Sequence, residues 1–186
     1  MSSLTDSLST ENVVASTSLG QELDLDTLAD DLDGVRFNPD QFPGLVYRTQ
    51  QPQAASLIFR SGKLVCTGAS SVSAVTAAIE QTFEELRGLG LNVPNEPDLT
   101  VQNIVSSGDL GFQLNLNAIA IGLGLEEVEY EPEQFPGLVY RADDLDVVVL
   151  LFGSGKLIIT GGTRPKDAEH AIETVAAKLR DLGLLE

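Results

Sequence analysis

The sequence predicts an α+β domain on an antiparallel sheet, written twice in one chain. Three observations carry this. A set of motifs returns after 93 residues, short β-patterned segments alternate with Pro/Gly turns, and one long amphipathic segment closes each copy.

The repeat comes first because it organises the rest. The segment Gln41-Phe-Pro-Gly-Leu-Val-Tyr-Arg48 returns as Gln134 to Arg141, and Ser61-Gly-Lys-Leu64 as Ser154 to Leu157, each 93 residues on. Asn12-Val13-Val14 returns as Asn103-Ile104-Val105 with an offset of 91, so two residues are absorbed between these points. The change falls near the end of the first helical segment, where Asp33-Gly34 faces Gly124-Leu125-Glu126. The expected division is a disordered tail over 1–10, a first repeat over 11–90, a linker over 91–101 holding Pro94 and Pro97, and a second repeat over 102–186. Two copies imply a pseudo-two-fold object, in effect a dimer in one chain.

Within a copy the order is strand, helix, four strands, helix. Asn12 to Thr17 reads as a strand, and Leu25, Leu28 and Leu32 have helical spacing. Val35–Phe37, Leu45–Arg48, Ala55–Phe59 and Lys63–Thr67 read as strands between turns. Ser70 or Ser71 can cap a long helix with the stripe Val75, Ile79, Phe83 and Leu86, stopped by Gly88 and Gly90. The second copy repeats this with Pro165 in the first turn, the stripe Ala168, Ile172, Val175 and Leu179, and Gly183 as the stop.

Several strands are apolar at every position instead of every second one, as in Val147 to Phe152, Leu57 to Phe59 and Leu157 to Ile159. Helices cover one face of such a sheet. The other face is then an exposed apolar surface, which marks a binding site, or else both faces are buried in a sandwich. Phe42 and Phe135 lie in Pro/Gly-flanked loops, and Phe59 and Phe152 at strand ends just before the glycine turns. A lone loop Phe plugs the nearest core. Four of them, paired and repeated, also fit exposed wedges.

Composition limits the remaining classes. The chain has 28 acidic and 11 basic residues and a formal net charge of -17, the opposite of an ordinary nucleic-acid binder. The one cysteine, Cys66, lies in an apolar run and reads as a buried structural thiol, excluding an internal disulfide and cysteine-based metal sites. No metal or cofactor is expected. The apolar runs are too short to span a membrane, and residues 1–10 show no signal-peptide pattern, so a cytoplasmic protein is expected. No catalytic set stands out. His170 sits in a polar helical segment, and Gly153-Ser-Gly155-Lys156 is too short to cradle a phosphate and reads as a hairpin turn. The chain is expected not to be an enzyme.

The duplicated Phe-Pro-Gly-Leu-Val-Tyr-Arg and Ser-Gly-Lys-Leu, the Thr67-Gly68 and Thr160-Gly161 that follow, and Gln102-Asn-Ile-Val105 together resemble the archaeal TATA-box-binding proteins, in that family's order and spacing. The likeness runs from Glu11 to about Leu185. It implies a pseudo-two-fold saddle, a curved ten-stranded antiparallel sheet with four helices on its convex face, that seats its concave face in the minor groove of A·T-rich promoter DNA. On this resemblance Phe42, Phe59, Phe135 and Phe152 are the intercalating wedges. Asn12, Asn103, Thr67 and Thr160 are polar base contacts. Val14, Val65, Val105, Ile158, Leu57 and Leu150 line the groove floor. Arg48, Lys63, Arg141 and Lys156 meet the phosphates. Glu131 and Glu133 stand where the family meets transcription factor B, through which RNA polymerase is recruited. The expected species is a monomer on DNA in the nucleoid, with pairing of free molecules left open.

The acid balance departs from most of this family. The acids crowd the helical segments, as in Asp24, Asp26, Asp30, Asp31, Glu84 and Glu85, while the repeated cations flank the wedges. A salt-loving, haloarchaeal source accounts for this, because at about 1 M salt the Debye length falls to about 3 Å and long-range repulsion from DNA fades. Glu11 replaces the Gln found at Gln102, and Arg60 has Gly153 as its counterpart. Competing classes are a DNA glycosylase or ribonuclease accessory domain and a protein-interaction module that uses the apolar face.

Overall fold

The computed structural model describes residues 3–186, which divide into two compact units. Residues 12–102 form the first unit, and residues 3–11 together with 103–186 form the second. Residues 1 and 2 of the expected tail lie outside the described residues.

The first unit takes β1 (Ser9–Ser18) from residue 12 onward, then α1 (Leu25–Asp31), β2 (Val35–Arg36), β3 (Leu45–Gln50), β4 (Gln53–Ile58), β5 (Lys63–Ala69) and α2 (Val72–Gly88). Its strands lie in the order β2-β3-β4-β5-β1, and the pairs are antiparallel. Asp24 caps α1 by accepting the Thr27 N–H at 3.2 Å, and Ser71 caps α2 by accepting the Ala74 N–H at 3.0 Å. The α2 stripe Val75, Ile79, Phe83 and Leu86 is fully buried and packs on β3 to β5. Those strands turn Leu45, Ile58, Leu64 and Cys66 toward it. Ser56 and Thr82 meet inside this layer at 2.9 Å, so the hydroxyl on β4 is satisfied. Burial pushes the Cys66 thiol above its ordinary pKa, as suits an inert core residue.

The second unit holds β6 (Thr100–Asp109, from residue 103), α3 (Leu116–Leu123), β7 (Val128–Glu129), β8 (Leu138–Tyr140), β9 (Val148–Leu151), β10 (Lys156–Gly162) and α4 (Pro165–Asp181), with strand order β6-β10-β9-β8-β7. Helix α3 is eight residues long against seven for α1 and ends at Gly124, where the repeat offset changes. The two units differ most after the third strand. β3 and β4 pair to their ends around Gln51 and Pro52, whereas β8 and β9 stop early. Residues 141–147 tuck under instead, burying Ala142, Leu145 and Val147. Lys178 of α4 holds this segment by donating to the Tyr140 hydroxyl at 2.8 Å and to Asp144 at 3.1 Å. That ammonium keeps the Asp144 carboxyl below its usual range. The strand expected over Val147 to Phe152 is correspondingly shorter.

The expectation of a disordered tail over 1–10 needs correction for its described part. Ser3 caps a 3-10 turn over Leu4–Ser7, donating its own N–H to Asp6 at 2.7 Å, and β1 begins at Ser9. The Ser7 hydroxyl accepts the Asp109 N–H at 3.0 Å, and Leu4 and Leu8 pack on the second unit's core. Read for composition, the segment is merely polar. Its Ser and Asp residues are capping chemistry, and two leucines supply the burial. Residues of the expected linker pack with the first unit, where Val93 is buried and Arg87 donates to the Pro94 carbonyl at 2.9 Å. Among the described residues no helix is long and apolar enough to cross a membrane.

Leu8→Ala is expected to cost on the order of 1–2 kcal/mol, less than a fully buried leucine truncation because the side chain is only partly buried. Urea unfolding measures it, and an unchanged midpoint would show the turn to be loosely held.

Candidate nucleic-acid interface

Strand alternation sorts every residue of each sheet onto one of two faces. One face lies under the helices. On the other, among the described residues, no helix packs, and its side chains are half-buried and mostly apolar. In the first unit a cross-strand row runs Arg36, Val46, Leu57, Val65, Ser16. The equivalent row of the second unit runs Glu129, Val139, Leu150, Ile158, Ser107. Val14 and Val105 sit on the same faces. The sandwich alternative fails here, because among the described residues no second layer of the same unit covers this face. The first unit's face holds an open hollow of about 700 Å³ lined by Val46, Arg48, Ala55, Leu57 and Thr67. The second unit's face holds one of about 560 Å³ lined by Ser107, Phe152, Lys156 and Ile158.

The polar residues on these faces are clamped. Pairing of β1 with β5 slips by one residue between Val13↔Ala69 and Ala15↔Cys66, and β6 with β10 slips likewise between Ile104↔Gly162 and Ser106↔Ile159. Each bulge falls on a Thr-Gly whose glycine has positive φ, +94° at Gly68 and +97° at Gly161. That conformation turns the glycine N–H onto the neighbouring asparagine. Gly68 donates to Asn12 Oδ1 at 2.8 Å and Gly161 to Asn103 Oδ1 at 2.7 Å. Asn12 Nδ2 donates to Thr67 Oγ1 at 3.1 Å, and Asn103 Nδ2 to Thr160 Oγ1 at 3.4 Å. Tying the amide oxygen to a backbone donor settles which way the carboxamide points. Its remaining N–H is a donor available to an outside acceptor.

The four phenylalanines form two edge-to-face pairs. Phe42 and Phe59 have ring centroids 5.8 Å apart at 69°, and Phe135 and Phe152 have centroids 5.9 Å apart at 72°. The same turn builds each loop: Asn38 O accepts the Gln41 and Phe42 N–H groups, and Glu131 O accepts those of Gln134 and Phe135. A Cβ at Gly44 would lie 2.7 Å from the Phe42 ring and 3.0 Å from Phe59, and one at Gly137 would be as close to its own pair. The glycine of each Phe-Pro-Gly is thus the floor under two rings. Phe42 stays 39% and Phe135 41% exposed, so neither is a plug in the core.

The expected cations are all exposed but are not equivalent. Arg48 extends from β3 on the apolar face and lines the hollow, and Lys63 and Lys156 open β5 and β10 on the same faces. Arg141 lies beyond the end of β8 and pairs with Glu129 at 3.9 Å, with both side chains more than half exposed. Arg60 pairs with Asp26 at 3.4 Å. Glu131 and Glu133 are exposed beside Phe135. Glu11 accepts the Ser107 hydroxyl at 2.6 Å, so a carboxylate stands on the second unit's apolar face, while Gln102 donates to Ser16 at 2.8 Å in the first. His170 is exposed on α4, and the described residues hold no cluster of metal-ligating side chains.

Sequence reasoning missed Val46 and Val139 on the floor, the supporting Gly44 and Gly137, and the edge residues Arg36 and Glu129. Parity within Leu-Val-Tyr-Arg could have found the valines, since Val46 must face away from buried Leu45. The rest needs the pairing of the two-residue strands β2 and β7, which carry no pattern of their own.

The family model for "Transcription factor TFIID (or TATA-binding protein, TBP)" matches residues 7–89 and again 98–182. The chain belongs to the TATA-binding protein family. TATA-box-binding protein F of Halobacterium salinarum is 66% identical over 186 residues, covering all of both chains. TATA-box-binding protein 2 of Haloferax volcanii is 65% identical over 185 residues, again covering all of both. Among solved structures, Methanococcus jannaschii TBP superposes with a TM-score of 0.85 at 46% identity, covering 94% of this chain and 98% of that one. The double match agrees with the internal repeat, and the likeness to a solved TBP meets the fold expected from the sequence. The protein is therefore a general transcription factor of this family and not an enzyme.

Gly68→Ala and Gly161→Ala are each expected to cost about 1–2 kcal/mol in urea unfolding, because a side chain is strained at their positive φ. An amide nitrogen resonance of Asn12 or Asn103 that did not move in the matching variant would show that the bulge does not orient it.

Proposed function

We propose that this protein binds A·T-rich promoter duplex through the minor groove, wedges it open with two phenylalanine pairs, bends it, and recruits transcription factor B and through it RNA polymerase. The observation that carries this reading is a clamped Asn-Thr pair set in an apolar floor and flanked by an exposed phenylalanine pair, found in both units. In the minor groove A·T pairs offer only acceptors, whereas G·C adds the guanine amino donor. The free Asn12 and Asn103 N–H groups suit those acceptors. Leu57, Val65, Leu150 and Ile158 around them leave a guanine amino group unpaired and crowded. The bent geometry itself is the family's general behaviour and is carried over as such.

Magnitudes allow the wedge. Partial unstacking costs roughly a few kcal/mol per step. A phenylalanine buries about 150–250 Å², worth on the order of 4–6 kcal/mol at most. Phe42 and Phe135 are already partly desolvated by their ring partners, so the gain per pair is smaller, yet still of the size required.

Charge sets the working conditions. With a net charge of -17 and Glu11 on one apolar face, the protein repels a polyanion at low salt. At molar salt that repulsion is screened, and a cation can accompany Glu11 into the complex. An ordinary DNA binder loses affinity as salt rises through counterion release. Here Arg48, Lys63, Arg141 and Lys156 offer few such contacts, which fits a protein of a salt-loving archaeon.

Titrating a TATA duplex and a G·C-scrambled duplex from moderate to molar potassium chloride is expected to give TATA preference throughout, with affinity held or rising with salt. Replacing Phe42, Phe59, Phe135 and Phe152 together by alanine is expected to abolish bending measured by end-to-end energy transfer. A steep ordinary salt loss would overturn the salt reading. Equal binding of both duplexes would remove the A·T selection by the groove floor, and binding of neither would leave a protein-interaction module. For the partner, Glu131→Lys with Glu133→Lys is expected to weaken transcription factor B capture on the preformed DNA complex at least about tenfold while duplex affinity does not fall, as reversal of two interface charges requires. Unchanged capture would assign that contact elsewhere.

A further inference from the structure

We infer that Arg36 is a DNA-phosphate contact present in the first unit only, and that its counterpart Glu129 withdraws the equivalent contact in the second, so the two units grip the backbone unequally. This rests on the minor-groove reading above.

The cross-strand rows carry the argument. In both units the floor is the same apolar sequence of side chains, Val46, Leu57 and Val65 in one and Val139, Leu150 and Ile158 in the other. Each row ends on a two-residue edge strand. Arg36 of β2 stands directly opposite Val46, and Glu129 of β7 directly opposite Val139. Directly opposed residues share a face, so Arg36 and Glu129 both border the surface that covers DNA. At the border of that surface an exposed guanidinium has the anionic backbone phosphates as its matching acceptors. One row ends on a cation and the other on an anion.

Neighbouring charges widen the difference. Arg36 is exposed, and the Arg48 side chain stands on the same face of the adjacent strand. In the second unit Glu129 lies 3.9 Å from Arg141, the counterpart of Arg48. This exposed pair contributes little to stability. It does place a negative charge where a phosphate would otherwise meet Arg141. The first edge thus offers two guanidiniums and the second a compensated pair. Guanidinium is the better choice for this task in strong salt, because its planar donors bind phosphate oxygens directionally and do not act through long-range charge alone.

The test uses the full-length protein with the TATA duplex and its G·C-scrambled control, titrated across potassium chloride concentrations. Arg36→Gln is expected to weaken binding roughly 3- to 10-fold, in the range of a screened charge-assisted contact. It also shifts the slope of log K against log salt upward by about 0.9, one phosphate's worth. The fold-loss is the same on both duplexes, because phosphates carry no sequence. Arg36→Lys recovers part of the loss. Glu129→Gln does the reverse, tightening binding and shifting the slope downward by about as much, as Arg141 is released. Thermal midpoints of all three variants match the wild type, since both side chains are exposed. Wild-type slope and affinity in Arg36→Gln overturn the inference. So does a loss of affinity with no change of slope, which marks a purely structural arginine. A wild-type protein that binds neither duplex sinks the minor-groove reading and this inference together, whereas wild-type TATA binding with an inert Arg36 sinks this inference alone.

Discussion

Everything distinctive here follows from strands that are apolar on both parities. A sheet needs one apolar face to hold its helices, and Leu45, Ile58, Leu64 and Cys66 supply it in the first unit. Val46, Leu57 and Val65 use the other parity for nothing inside the protein. Leaving such a face open has a solvation cost that an ordinary soluble fold avoids by placing polar residues there. That cost is recovered when another molecule covers the face. The phenylalanine pairs belong to the same economy of burial: each ring half-shields its neighbour until something better arrives. The clamped asparagines put directional chemistry into a surface that is otherwise only greasy.

Much of the architecture was legible because the chain states it twice. One Phe-Pro-Gly is a common tripeptide; two in register with Ser-Gly-Lys-Leu fixed both the pairing of the loops and the equivalence of the strands. Caps at Asp24 and Ser71 behaved as local chemistry dictates, Asp24 unremarked in the sequence and Ser71 anticipated. The site was legible as residue types but not as geometry. Nothing in Thr67-Gly68 announces a bulge, because a positive φ is a property of the backbone path. Nothing in Val35-Arg36 announces an edge strand, because two residues have no period. Segment 141–147 differs from its counterpart through one long-range tether, Lys178 to Tyr140 and Asp144, which no local pattern encodes.

Duplication hides divergence as readily as it reveals kinship. The repeat invites the assumption that equivalent positions act alike, yet Arg48 and Arg141 sit in different surroundings, Glu11 replaces an amide, and the buried Ser56–Thr82 hydroxyl pair has Val149 and Val175 as its counterpart. The helix-covered side of the duplication has drifted within the limits of volume and hydrogen bonding. The open side has kept its apolar residues and varied its charges. Those are the patterns expected if one side answers to packing and the other to an outside surface.

The capped turn at the start of the chain bears on how the two copies can be taken apart. Because Leu4 and Leu8 pack into the unit built mostly from the chain's second half, a scission at the linker does not release two complete halves. The carboxy-terminal fragment would lose two leucines from its interior, and the amino-terminal one would carry them as orphaned greasy side chains.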